Sequence, residues 1–116
     1  MGIIKPVLLI ICTLLITACE PEELETIAIN ADAIIIDVRE QYEFLQGHIP
    51  GAILLPLDQL EEEISLLVPD LDQIIYLYCR SGRRSSLAAN ILAEIGYTAV
   101  FDLGGVNDWR GEIVVP

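Results

Sequence analysis

The sequence predicts a single α/β domain on a parallel sheet covered on both faces, and three observations predict it. Short apolar runs alternate with segments of helical spacing along the chain from residue 33 onward. Two runs, Ala33-Ile34-Ile35-Ile36 and Ile74-Ile75-Tyr76-Leu77-Tyr78, are apolar without alternation, as strands buried on both faces are. A chain of 116 residues, 53% of them hydrophobic, suits one small core and no more.

Taken in order, residues 1–18 read as a lipoprotein signal peptide. Val7 to Ala18 is an apolar run after Lys5. It is shorter than the about 20 residues of a spanning helix and fits the h-region of a secretory signal. Ile16-Thr17-Ala18-Cys19 resembles the bacterial lipobox, which would make Cys19 the lipidated first residue of an exported chain, anchored on the periplasmic side of the cell envelope. An uncleaved anchor and an ordinary signal peptide are the competing readings. Residues 19–30 then form an acidic tether opening with Glu20-Pro21-Glu22-Glu23, and residues 31–116 form the folded domain.

Within that domain, residues 33–38 read as the first strand, with Asp37 at its carboxyl end. Arg39 to Gln46 can make a short helix stopped by Gly47, and Gly47-His48-Ile49-Pro50-Gly51 is turn chemistry. Ala52 to Pro56 is a second strand. Asp58 with Glu61 three residues on is a capping box for a helix whose face carries Leu60, Ile64 and Leu67. Pro69-Asp70 ends that helix and leads to the strand at 73–78. The next helix, 85–95, shows Leu87, Ile91 and Ile95 four apart, with Ala88 and Leu92 alongside and Gly96 at its end. Ala99-Val100-Phe101 is a last strand, Asp102 to Gly105 a loop, and Val106 to Arg110 a final helical turn holding Trp109, read as a core plug.

Between the third strand and its helix lies Cys79-Arg80-Ser81-Gly82-Arg83-Arg84-Ser85. A helix N-terminus presents unpaired N–H groups and partial positive charge, which favour an anion. A cysteine there, with three arginines following, is driven toward its thiolate. Cys79 is therefore the candidate nucleophile, at the carboxyl end of a strand where open α/β sheets bind ligands. Gly82 supplies a backbone angle that a side chain forbids.

Charge narrows the partners. Eighteen acidic residues oppose six basic ones, and Lys5 lies in the signal segment, so the chain from Cys19 onward carries a net −13. That disfavours nucleic acid and an anionic membrane surface, since binding there needs a basic face. Three of the five arginines lie between Arg80 and Arg84, so the cysteine loop is the one place built to attract a small anion. With Cys12 in the signal and Cys19 lipidated, Cys79 is the only thiol left, and one histidine with one free cysteine makes no zinc set.

Four segments together resemble a rhodanese domain: Asp37-Val38-Arg39-Glu40, Gly47-His48-Ile49-Pro50-Gly51-Ala52, Cys79-Arg80-Ser81-Gly82-Arg83-Arg84-Ser85, and Leu103-Gly104-Gly105 with Trp109. The match runs over residues 33–111. It departs from the family in an abbreviated N-terminal part, where the usual first edge strand is missing or minimal. The loop also separates the chain from tyrosine-phosphatase-type sites, which hold five residues between cysteine and arginine, against four here before Arg84.

The resemblance implies a rhodanese-like fold and a sulfurtransferase without cofactor. Cys79 would carry sulfur as a persulfide between a small anionic donor such as thiosulfate and an acceptor, cyanide or a thiol. The substrate-binding set is Arg80, Ser81, Gly82, Arg83, Arg84 and Ser85: backbone N–H groups would cradle the sulfur, and Arg80 and Arg84 would orient the donor, although Arg84 could equally be a loop-holding salt bridge. Asp37 and Arg39 are read as a structural acid–arginine pairing, and His48 as a turn residue bonded to backbone. The alternative function is a persulfide carrier or binding module serving a partner protein.

Overall fold

The computed structural model describes residues 31–116. The signal segment, Cys19, the tether and any strand preceding residue 31 lie outside the described residues. Four parallel strands run in the order β2-β1-β3-β4: β1 (Ile34–Asp37), β2 (Ile53–Leu54), β3 (Ile75–Cys79) and β4 (Val100–Gly105). Between them lie α1 (Gln41–Gln46), α2 (Leu57–Leu67) and α3 (Arg83–Ile95). The chain steps from the β2 edge across β1 to β3 over α2, then outward to β4 over α3.

Side chains alternate along the central strands. Ile36, Val38, Ile75, Leu77 and Cys79 point to one face, where Leu60 and Ile64 of α2 and Ala88 and Leu92 of α3 complete the core. On the other face, α1 and the turn after it close over the carboxyl ends of the strands. There the Ile49 N–H donates to Tyr78 Oη at 3.0 Å, and Tyr78 is 1% exposed.

Several element boundaries differ from those expected. Helix α2 starts at Leu57, and Asp58 is not its cap: the Leu57 N–H donates to the Val38 carbonyl at 3.1 Å, so the sheet satisfies the first turn. Leu67 is 37% exposed, and Val68 takes its place in the core. The buried line of α3 is Ser85, Ala88 and Leu92, one residue round from the expected stripe, while Leu87 and Ile95 are largely exposed. Small residues on that line bring the helix close under Cys79. Helix α1 starts at Gln41, two residues later than expected, because Arg39 turns inward to Asp37.

The largest correction is at β4, which continues through the segment expected to be a loop. Gly104 has φ 86° and accepts a turn held by its N–H to Asp102 Oδ1 at 2.8 Å, while Gly105 pairs with Cys79 after a register shift. A Cβ on Gly105 would lie 2.3 Å from the Arg80 carbonyl oxygen, so only glycine lets β4 run this close to the loop. Trp109 is not a core plug. It is half-buried after a short 3-10 turn (Val106–Asp108), with Gly111 against its ring and its Nε1 donating to the Glu112 carbonyl.

Candidate active site

Cys79 ends β3, is 1% exposed and is a free thiol. Gly82, at φ 104°, turns the chain at once into α3, which therefore starts at Arg83 and not at Ser85. That tight turn aims the first helical amides at the sulfur. The Gly82 N–H donates to Cys79 Sγ at 3.0 Å and the Ser85 N–H at 3.3 Å, and Ser85 Oγ lies 3.6 Å from it. Ser85 Oγ also donates to the Gly82 carbonyl at 3.2 Å and faces the Gly104 carbonyl at 3.4 Å. Every wall of this socket is thus backbone or a small side chain.

Burial pushes the Cys79 pKa up, but hydrogen bonds from the Ser85 side chain and from the N–H groups of Ser85, Gly82 and Ser81 together outweigh it, so the net shift is downward. The sequence reading gave this effect to the N–H groups of the helix start with the arginines adding to it, and the structure gives it to the Ser85 side chain and the amide cradle, an arrangement that stabilises a sulfur anion without a side-chain base.

The arginines share a partner that the sequence reading missed. Glu43 of α1, 2% exposed, takes Arg84 end-on, from Nη1 to Oε1 at 2.7 Å and from Nη2 to Oε2 at 3.0 Å. Arg80 reaches the same carboxylate through Nε, at 2.9 Å to Oε2. Arg84 first, with the Glu40 N–H and Arg80 adding to it, brings the Glu43 pKa down to about 2 against the opposing effect of burial. Arg83 is exposed and its guanidinium has no partner among the described residues. One signal for Glu43 was available: three cations around one loop need a nearby acid, and Glu43 shares a helical face with Glu40 and Gly47.

Asp37 and Arg39 form a buried pair, with Arg39 Nη2 at 2.8 Å from Asp37 Oδ2, and the same nitrogen donates to the Gly47 carbonyl at 2.7 Å. They brace the 47–50 turn away from the sulfur. His48 stacks on Phe44 with ring centroids 3.7 Å apart, and its Nδ1 lies 3.0 Å from the Phe44 carbonyl oxygen. Its backbone pairs with Val114 in an isolated antiparallel bridge. Both readings of these residues as structural hold.

Comparison with known proteins agrees with this geometry. The profile of the rhodanese-like domain matches residues 20–112. The chain is 44% identical over 73 residues to the thiosulfate sulfurtransferase PspE of Escherichia coli, covering 63% of this chain and 70% of that protein. It is 37% identical over 86 residues to a sulfurtransferase of Allochromatium vinosum, covering 73% and 78% of the two chains. A solved structure of rhodanese with anions from E. coli superposes with a TM-score of 0.69 at 39% identity, covering 72% of this chain and 99% of that one. With Cys79 held at the carboxyl edge of a parallel sheet by the amides of a helix N-terminus, the chain belongs to the rhodanese-like family and is an enzyme of the sulfurtransferase type.

Proposed function

We propose that this protein moves a sulfane sulfur from thiosulfate or a similar anionic donor to cyanide or a thiol through a persulfide on Cys79. The observation that carries the reading is the cradle: amides of Gly82 and Ser85 directed at one buried sulfur. The names of the PspE and A. vinosum relatives support the reaction class. In the first half-reaction the Cys79 thiolate attacks the outer sulfur of thiosulfate. A new S–S bond forms at Cys79, the donor's S–S bond breaks, and sulfite leaves with the electron pair. The terminal persulfide sulfur, now the anion, takes over the amide N–H bonds. In the second, cyanide attacks that sulfur, thiocyanate departs, and the thiolate returns.

The experiment is an intact-mass measurement after thiosulfate treatment, then thiocyanate assay after cyanide. A gain of one sulfur that cyanide removes, absent in Cys79→Ser, is expected. Retained transfer in Cys79→Ser would sink the assignment, and a stable persulfide that cyanide removes only slowly would favour the carrier reading.

The location is proposed from the sequence: an exported chain lipidated at Cys19, with Cys79 outside the cytoplasmic membrane. Support comes from the apolar run ending in Ile16-Thr17-Ala18-Cys19 and from the family match beginning at residue 20, directly after that cysteine. Cys19→Ser should abolish incorporation of labelled fatty acid and leave an uncleaved precursor. Unchanged labelling would overturn the anchor.

A further inference from the structure

One edge of the sheet lies beside an apolar groove. Strand β2 is the outer strand of the order β2-β1-β3-β4 and pairs with β1 alone among the described residues. Alternate residues of a strand turn their backbone groups to the same side, and the Leu55 N–H donates to the Asp37 carbonyl of β1 at 2.9 Å, so the N–H and carbonyl of Leu54 are directed outward. The groove beside them holds about 340 Å³ and is lined by Ile53, Leu54, Leu55, Glu63, Leu66 and Leu67. Glu63, Leu66 and Leu67 stand three and four apart on one face of α2, with Leu66 85% exposed and Ile53 38%. Apolar side chains this exposed add little to the folded core, and a free strand edge invites pairing.

The charge around the groove selects what pairs there. Helix α2 carries Asp58, Glu61, Glu62 and Glu63, all exposed, and neither α2 nor β2 holds a base. The described arginines lie elsewhere: Arg39 is buried against Asp37, Arg80, Arg83 and Arg84 belong to the cysteine loop, and Arg110 follows β4 at the opposite edge. A second copy would bring the same acids to the groove, and the segment before residue 31 would bring Glu20, Glu22, Glu23 and Glu25. We infer that the β2 edge and its groove form a docking surface for an extended, basic segment of a partner protein. That segment adds a strand at Leu54, sets two alternate apolar side chains against Ile53 and Leu66, and places a lysine or arginine on Glu63. Leu54 is in register with Asp37 and Tyr78, so the surface is two strand spacings, about 10 Å, from the strand that ends in Cys79, and its occupant leaves the sulfur open. The surface serves recruitment, and neither its residues nor its test involves sulfur transfer.

The test titrates the full-length protein, held in detergent, with the acetylated and amidated peptide Lys-Val-Thr-Val-Thr-Lys and with the same peptide carrying glutamate in place of lysine. Backbone chemical shifts and amide hydrogen exchange are followed. The lysine peptide should shift the amides of residues 53–55 and 63–67, slow exchange at the Leu54 N–H, and bind about five- to thirty-fold tighter than the glutamate peptide at about 0.01 M ionic strength. Glu63→Lys should reverse that preference. Leu66→Ser, a change at a side chain in solvent, should weaken the lysine peptide about ten-fold without moving the thermal unfolding midpoint.

No shift with either peptide, equal affinity for the two, or shifts away from Leu54 overturns the inference. So does a Leu54 N–H already slow to exchange in the protein alone: protection lost on dilution makes the occupant a second copy, and protection lost only on deletion of residues 20–30 makes it the chain's own N-terminal segment. The sulfurtransferase reading is untouched by any of these results, since it stands or falls with Cys79→Ser.

Discussion

A carboxylate that is 2% exposed stays ionised only where cations surround it, and Glu43 has two. Its pKa lies at about 2, against an ordinary 4.5, so between those values the unfolded chain binds a proton that the native chain refuses. Stability from this group is therefore complete above about pH 4.5 and is lost as pH falls toward 2. The full shift corresponds to about 3 kcal/mol, and the solvent reaching Arg80 and Arg84 reduces it to about 1–2 kcal/mol. Glu43→Gln carries no such proton. Denaturant unfolding at pH 6 and at pH 3 should show the parent losing about 1 kcal/mol more stability than the variant over the interval, the remainder being lost only as pH falls further toward 2. An equal loss in both would mean that the carboxylate is not held charged by the loop. At Cys79 the same reasoning runs through amides: the sulfur anion is favoured because the helix start has no other partner for its N–H groups.

At the scale of elements, α3 shows why local reading stopped short. Two arginines in the first turn of a helix oppose its dipole, so the sequence favours a start at Ser85. The helix begins at Arg83 because the sulfur of Cys79 sits where an anion belongs and because Glu43 draws Arg84 across from α1. Both partners lie outside the helix, and Glu43 is 41 residues from Arg84 in sequence. Strand β4 failed for a related reason. Asp102-Leu103-Gly104-Gly105 has the composition of a loop, yet its glycines serve close approach, and that need is visible only once Arg80 is placed against Gly105. What could be read locally was read: the buried runs of β1 and β3, the stop at Gly96, and the Asp37–Arg39 pairing, all set by neighbours within a few residues.

For the whole molecule, the fold class and the place of the nucleophile were legible together, since a parallel sheet collects its loops at one edge and Cys79 ends a strand there. The charge of the molecule bears on how a donor arrives. A dianion approaching a chain of net charge −12 is repelled by acids spread over the surface and attracted by arginines at the mouth of one loop. In water an acid about 15 Å away costs a dianion about 0.5 kcal/mol, whereas an arginine about 4 Å away contributes about 2 kcal/mol. Salt separates the two, because a Debye length falling from about 30 Å at 0.01 M to about 10 Å at 0.1 M removes most of the distant repulsion and little of the contact attraction. The kcat/KM for thiosulfate should therefore rise about two- to five-fold between 0.01 M and 0.1 M ionic strength and decline near 1 M, where the Debye length of about 3 Å reaches the contact itself. Arg83→Gln, which removes a cation with no partner among the described residues, should lower the whole curve without moving its maximum. A rate falling steadily from the lowest salt would show instead that the loop arginines dominate the field at all distances, and that the acidic surface has no bearing on the encounter.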